Sequence, residues 1–123
     1  MLVYRVEDSD GRGPYNSYMA HVPGLLMAHN QEGPKTRPNT YADPKLRHIM
    51  QDHEFCGFTS LTDMGQWFEG FGEALEDNDF TITEYEIDPS LVLHGSGQVV
   101  FEKYQAKKVR VHAPTKYIDR KQA

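Results

Sequence analysis

The sequence predicts a single α+β domain with a mostly antiparallel, split β-sheet and two or three short helices. Two observations carry this reading. Strand-like segments stand at the start of the chain and again in its second half, with helical patterns between them, and no regular strand–helix alternation of the parallel kind runs through the chain. Its 123 residues fit one domain and allow a core without a metal or disulfide staple. Hydrophobic residues make up only 38%, but 11% are aromatic, so the core is expected to be built largely from rings.

The elements follow in order. Leu2 to Val6 is β-branched and aromatic, which predicts a strand with Leu2, Tyr4 and Val6 on one face and Val3 and Arg5 on the other. Arg5 there has two readings, a solvated edge cation or a functional group. Residues 7 to 42 read as one long connection that opens on the turn cluster Asp8 to Pro14 and is punctuated by Pro23, Gly24, Gly33, Pro34 and Pro38. Met19 to His29 is apolar enough for a helical turn. A loop of this length in a small domain is usually functional or mobile, and Tyr15, Tyr18, His21 and His29 suggest that it folds over something.

Asp43-Pro44 has the form of an N-cap followed by proline at the first helical position. Leu46, Ile49 and Met50 then give one apolar face of a short helix ending at His53-Glu54. Phe55 to Phe58 reads as a short buried strand. Ser60-x-x-Asp63 resembles a capping box, and Met64, Trp67, Phe68 and Phe71 form a helical apolar stripe that Gly70 and Gly72 interrupt. A second short helix is expected through Glu73 to Leu75, stopping at Asp77-Asn78-Asp79. Phe80 to Ile87 alternates as a strand, Asp88-Pro89 turns, and Ser90 to His94 is a short apolar segment. Gln98 to Phe101 starts another strand, Tyr104 to Lys107 is a turn or bulge, and Lys108 to Ala113 is a last strand with Val109 and Val111 inward. The domain is expected to span residues 1–114, with 115–123 as a flexible, basic tail.

Composition narrows the function classes. A formal net charge of -5 argues against broad nucleic-acid binding, which needs a basic field. The single cysteine, Cys56, excludes an intramolecular disulfide, and in its apolar strand it reads as a packed thiol rather than a nucleophile. The N-terminus lacks the pattern of a signal peptide and the apolar runs are too short to span a bilayer, so a cytoplasmic, membrane-free setting is expected. There is no Gly-x-Ser-x-Gly elbow, no P-loop, no dinucleotide fingerprint and no His-x-x-x-His pair; no metal is expected. Glu84 and Glu86 share a strand face and read either as paired acids or as a solvated face.

Three separated points form a more specific constellation: Arg5 on the first strand, Thr59-Ser60 after an aromatic strand, and Gln98 opening a late strand after Gly95-Ser96-Gly97. In this order they resemble the signature of the ADP-ribosyltransferase-like fold, an Arg or His, an aromatic-flanked Ser or Thr, and a late Glu. That resemblance implies NAD or a related adenine nucleotide as ligand. It gives Arg5 the phosphate or ribose, Ser60 a positioning role and Gln98 the ribose and acceptor. Arg12 and Thr59 join the binding group, with Tyr15 or Trp67 as a wall for the base. Gln98 stands where the family carries Glu, so it can hydrogen-bond a ribose but brings no charge to an oxocarbenium-like state. Glu102 lies about 13 Å further along the strand. The chain is also similar to small bacteriophage proteins that share Tyr4-Arg5, Gly13-Pro14-Tyr15, Phe55 to Ser60 with Trp67-Phe68, and Gln98 to Phe101.

Three functions follow as expectations. The first is transfer or hydrolysis of ADP-ribose from NAD. The second is a non-catalytic binder that sequesters a nucleotide signal or blocks a host defence protein. The third is a structural or assembly role.

Overall fold

The computed structural model describes residues 1–15, 22, 25 and 38–119. Its strands are β1 (Leu2–Glu7), β2 (Phe55–Gly57), β3 (Thr81–Glu86), β4 (Val92–His94), β5 (Val99–Phe101) and β6 (Lys107–His112). Its α-helices are α1 (Leu61–Trp67) and α2 (Gly72–Asp77), and single 3-10 turns occupy Pro89–Leu91, Lys103–Gln105 and Pro114–Lys116. The strands form two antiparallel sheets, in the orders β1-β3-β6 and β2-β5-β4. This is an α+β domain.

The sheets meet at one backbone bridge. Phe58, just past β2, exchanges hydrogen bonds with Tyr4 at 2.7 and 2.8 Å. The crossing is close, because a Cβ on Gly57 would lie 2.9 Å from the Tyr4 carbonyl oxygen and 2.7 Å from Val3 Cγ1. Only glycine lets β2 approach β1 this tightly.

Two apolar clusters cover opposite faces of the first sheet. Val6 and Ile82 pack with Phe58, Met64, Phe68, Leu75 and Phe80 on the helical side. Val3 and Tyr85 pack with Val92, Val99 and Phe101 of the second sheet. The result is three layers around a sheet buried on both sides. β1 therefore alternates as expected but buries both of its faces, and Arg5 is 8% exposed rather than a solvated edge cation.

The helical region follows its local code. Ser60 caps α1 by accepting from the Asp63 N–H at 3.2 Å. Gly70, at φ 86°, separates α1 from α2 in the left-handed region. Asp79, at φ 64°, lies just beyond the end of α2.

Four expectations are corrected. Asp43-Pro44 opens a single turn and no α-helix: the Leu46 and Arg47 N–H groups both donate to the Asp43 carbonyl, and Arg47 then adopts φ 46°, which ends the turn. The connection between β1 and β2 thus runs from residue 8 to 54. The tail reading fails for residues 115–119. Ile118 is 2% exposed in the core, the Thr115 N–H donates to the Glu76 carboxylate, and the Gly72 N–H donates to the Asp119 carbonyl at 2.9 Å. Val109 and Val111 point outward, 40% and 52% exposed, because neither apolar cluster takes them in. Glu84 and Glu86 are neither paired acids nor a shared solvated face: Glu84 is buried against His112 Nε2 at 3.2 Å, and Glu86 is exposed. The helical turn expected over Met19–His29 lies outside the described residues, apart from the buried Val22 and Leu25.

Candidate functional site

A cleft of about 700 Å³ opens beside the point where the two sheets part. Its walls come from the end of β1, the 10–15 turn, β2, the 50–54 segment, the end of α1 and the start of the 103–105 turn. Arg5, Arg12, Tyr15, Trp67 and Gln98 all line it; Thr59 and Ser60 do not. Two of the three signature residues therefore share one cleft, and the third lies outside it.

Arg5 is the most tightly held of these. Nε donates to Glu7 at 3.0 Å, one terminal nitrogen to the Cys56 carbonyl at 2.8 Å, and the other to the Gly11 carbonyl at 3.1 Å. Its guanidinium also lies 5.1 Å from the Phe55 ring centroid. Burying this cation between layers requires acceptors, and the strand neighbour, β2 and the turn supply them. Three of the five N–H donors are already used, so Arg5 ties the two sheets and the 10–13 turn together instead of presenting a free fork to a phosphate.

Glu7 collects the rest of this network. Its carboxylate accepts from the Tyr85 hydroxyl at 2.6 Å and from Lys103 Nζ at 3.4 Å. Burial, then the hydrogen bond to the Glu7 carboxylate, pushes the Tyr85 phenol well above its usual range. Lys103 also sits 4.5 Å from the Phe55 ring centroid, so that ring carries a cation on either count, and Tyr104 meets it edge-on at 5.4 Å.

A second aromatic group stands at the α1 side. Trp67 Nε1 donates to the Tyr15 hydroxyl at 2.9 Å, and Tyr15 stacks on Phe68 with centroids 6.3 Å apart. Phe58 meets both Trp67 and Phe68 edge-on. Of the loop residues expected to fold over something, Tyr15 seats on this group, and Tyr18, His21 and His29 lie outside the described residues.

Gln98 is fixed by a buried acid. Its Nε2 donates to the Pro38 carbonyl at 2.7 Å and to Asp43 Oδ2 at 3.1 Å. Asp43 is fully buried and also accepts from the Ser96 N–H at 2.7 Å, the Ser96 hydroxyl at 2.9 Å and the Lys45 N–H at 2.9 Å. Burial pushes the Asp43 carboxyl up, but these donors outweigh it and leave the group below its usual range. Asp43 thus caps its own turn, as its sequence suggests, and also clamps the Gly95–Gly97 turn and Gln98 to the long loop.

Acids line the cleft too. Glu54 accepts from His48 Nε2 at 2.8 Å and from the Gln51 N–H at 2.9 Å. Burial acts to raise its carboxyl, and these bonds hold it below the ordinary range. Burial pushes the Cys56 thiol up, so the thiolate is scarce and the residue is a packed thiol. Phe55, Lys103, Tyr104 and Asp43 were not singled out as site residues. The only local hint was the aromatic–cation pair Lys103-Tyr104; the role of Asp43 depends on partners 53 and 55 residues away.

A sequence profile of the bacteriophage T4 Y00F protein family matches residues 1–115. The chain belongs to that family. No curated protein and no solved structure matches it. The match supports the bacteriophage origin expected from the Tyr4-Arg5, Gly13-Pro14-Tyr15, Phe55–Ser60 with Trp67-Phe68, and Gln98–Phe101 segments, and in this Y00F-family protein it spans β1 to β6, α1 and α2. Among the described residues no helix is long and apolar enough to cross a membrane.

Proposed function

We propose that this phage protein binds a nucleotide of the NAD or ADP-ribose class in the cleft between its sheets and holds it without transferring ADP-ribose. The observation that carries this reading is the make-up of the cleft. Its volume of about 700 Å³ lies within the range of small-molecule sites. Two aromatic groups, Tyr15 with Trp67 and Phe55 with Tyr104, offer ring faces and edges for a planar base. Arg12 is exposed at the cleft wall, and Lys103 holds Glu7 and Gly11 only at 3.4 and 3.5 Å. These two cations suit anionic phosphate oxygens better than Arg5 does, since three of its donors are already engaged.

The same details speak for binding over the ADP-ribosyltransferase-like activity. Loss of nicotinamide develops positive charge, which a fixed carboxylate stabilises and a neutral amide does not. Gln98 supplies that amide, and its N–H donors are directed to Pro38 and Asp43. Ser60 spends its hydroxyl on the α1 N-terminus, outside the cleft. A phage product of this kind would act by withdrawing a nucleotide signal from a host defence response.

Thermal shift and titration calorimetry with NAD, ADP-ribose and ATP test the reading. At least one is expected to raise the melting temperature by several degrees when present at about a hundred times its Kd. Arg12→Glu and Tyr15→Ala are expected to weaken that ligand at least tenfold. No nicotinamide is expected to appear on incubation with NAD. Absence of any shift at millimolar nucleotide overturns the binding claim, and nicotinamide release overturns the non-catalytic one.

A further inference from the structure

We propose that the outer edge of β6 docks an extended acidic segment of a partner protein, added as a fourth strand to the β1-β3-β6 sheet. β6 is six residues long and pairs only with β3 among the described residues. Its outer edge therefore presents the backbone donors and acceptors on which strand addition is built.

The exposure of β6 sets it apart from its sheet. β1 and β3 are covered by the helical cluster on one face and the second sheet on the other. Along β6 every residue from Lys107 to Val111 is exposed, and only His112 is buried. Two valines stand in that run, at positions where a strand facing solvent ordinarily carries polar residues.

Charge selects the occupant. Lys107, Lys108 and Arg110 fall within four residues of a chain whose formal net charge is -5. Among the described residues none of the three has an ion pair within 4 Å. Glu84, opposite Arg110, is turned to His112, and Glu86, opposite Lys107, makes no such contact. A second copy pairing β6 with β6 would bring six cations into one two-stranded ladder, which like-charge repulsion opposes. A neutral strand would have to desolvate the lysines without return. An acidic strand with apolar residues at alternate positions sets its carboxylates against Lys107 and Arg110, which lie on the Glu84 and Glu86 face of the sheet, and its apolar side chains against Val111, which lies with Lys108 on the Thr83 and Tyr85 face. The cations that guard this edge against indiscriminate pairing are thus the ones that admit an acidic segment. The register shift between Glu84 and Tyr85 leaves Val109 as an extra residue in β6, so the added ladder is short.

The proposal is independent of the nucleotide cleft and is tested without nucleotide. The probe is a fluorescein-labelled synthetic peptide of alternating Glu and Val, followed by anisotropy at low salt. Comparison peptides alternate Lys and Val, or carry a central Pro in the acidic sequence. The acidic peptide is expected to bind, and the other two to bind at least tenfold more weakly. A Lys107→Glu, Lys108→Glu, Arg110→Glu variant, whose fold is checked by circular dichroism, is expected to lose the acidic peptide by at least tenfold. Hydrogen exchange at residues 107–112 is expected to slow when the peptide is bound. Equal binding by the variant or by the Pro peptide overturns the proposal, as does no binding at all. Sedimentation that reveals a dimer broken by the triple variant overturns it in favour of a second copy.

Discussion

Replacing Asp43 by alanine removes the acceptor that holds the long loop to the second sheet. Four donors converge on its carboxylate: the Ser96 N–H and hydroxyl, the Lys45 N–H and Gln98 Nε2, at 2.7 to 3.1 Å. A hydrogen bond to a charged acceptor is worth about 1.5–3 kcal/mol net. The four do not simply add. Lys45 is exposed and Ser96 half-buried, so both regain water, and Gln98 keeps the Pro38 carbonyl. What remains is the loss at the 5%-exposed Gln98 and at the buried side of Ser96, about 3 kcal/mol in total. At an unfolding entropy of about 2.1 cal/mol/K per residue, that lowers the melting temperature of this chain by about 12 °C. Asp43→Asn keeps one acceptor but turns an amide donor toward two others, so a loss of about 2 kcal/mol is expected. Calorimetry or thermal circular dichroism at pH 7 measures both. The sign with pH follows from the depressed carboxyl: its stabilisation is full above the ordinary value of 3.8 and is lost as pH falls through the lower folded value. The gap between wild type and Asp43→Asn should therefore close below about pH 3.8. A fall of less than about 3 °C in Asp43→Ala, or a gap that stays constant into acid, refutes the clamp.

Two other substitutions probe separate parts of the structure. Gln98→Glu restores the residue type of the transferase signature but sets a second carboxylate beside Asp43; it should cost about 3 kcal/mol at pH 7, recover part of this at pH 5 as the pair takes a proton, and release no nicotinamide from NAD. Ile118→Ala should cost about 2–5 kcal/mol in urea denaturation, as for any buried aliphatic truncation, whereas a residue in a free tail would leave stability unchanged within about 0.5 kcal/mol.

Segments governed by local rules were legible in the sequence. The alternation of Phe80 to Ile87, the Ser60 cap and the glycine break at position 70 depend on neighbours within a few residues, and each appears where its pattern places it. Elements decided by distant partners were not. The apolar spacing of Leu46, Ile49 and Met50 argued for a helix, but Asp43 is drawn to Ser96 and Gln98, and the chain turns after Arg47 instead. The valines of β6 have the period of a half-buried strand, and nothing local reveals that both apolar clusters leave them out. The basic composition after Thr115 concealed Ile118, whose burial depends on α2 and the core beneath it. Arg12, Tyr15 and Trp67, which the transferase resemblance places in a binding group, line the cleft. Phe55, Lys103 and Tyr104 were missed because their contacts arise only when the 103–105 turn comes against β2.

Arg5 joins these strands of reasoning. Its place on the first strand drew a functional reading, and it does line the cleft. Its role differs for a reason the layers impose. β1 is covered on both faces, so a cation on it must find acceptors inside the protein or destabilise the fold. Glu7 is the nearest along the chain, two residues on and on the same face, and the Cys56 and Gly11 carbonyls complete the set. Satisfying Arg5 therefore pulls the 8–13 turn across β2 and raises one wall of the cleft. The turn carries Arg12 with it and leaves that side chain exposed at the cleft. Burial of the first arginine thus positions the second, and the residue best placed to meet an anionic ligand is Arg12, not the one that marks the strand.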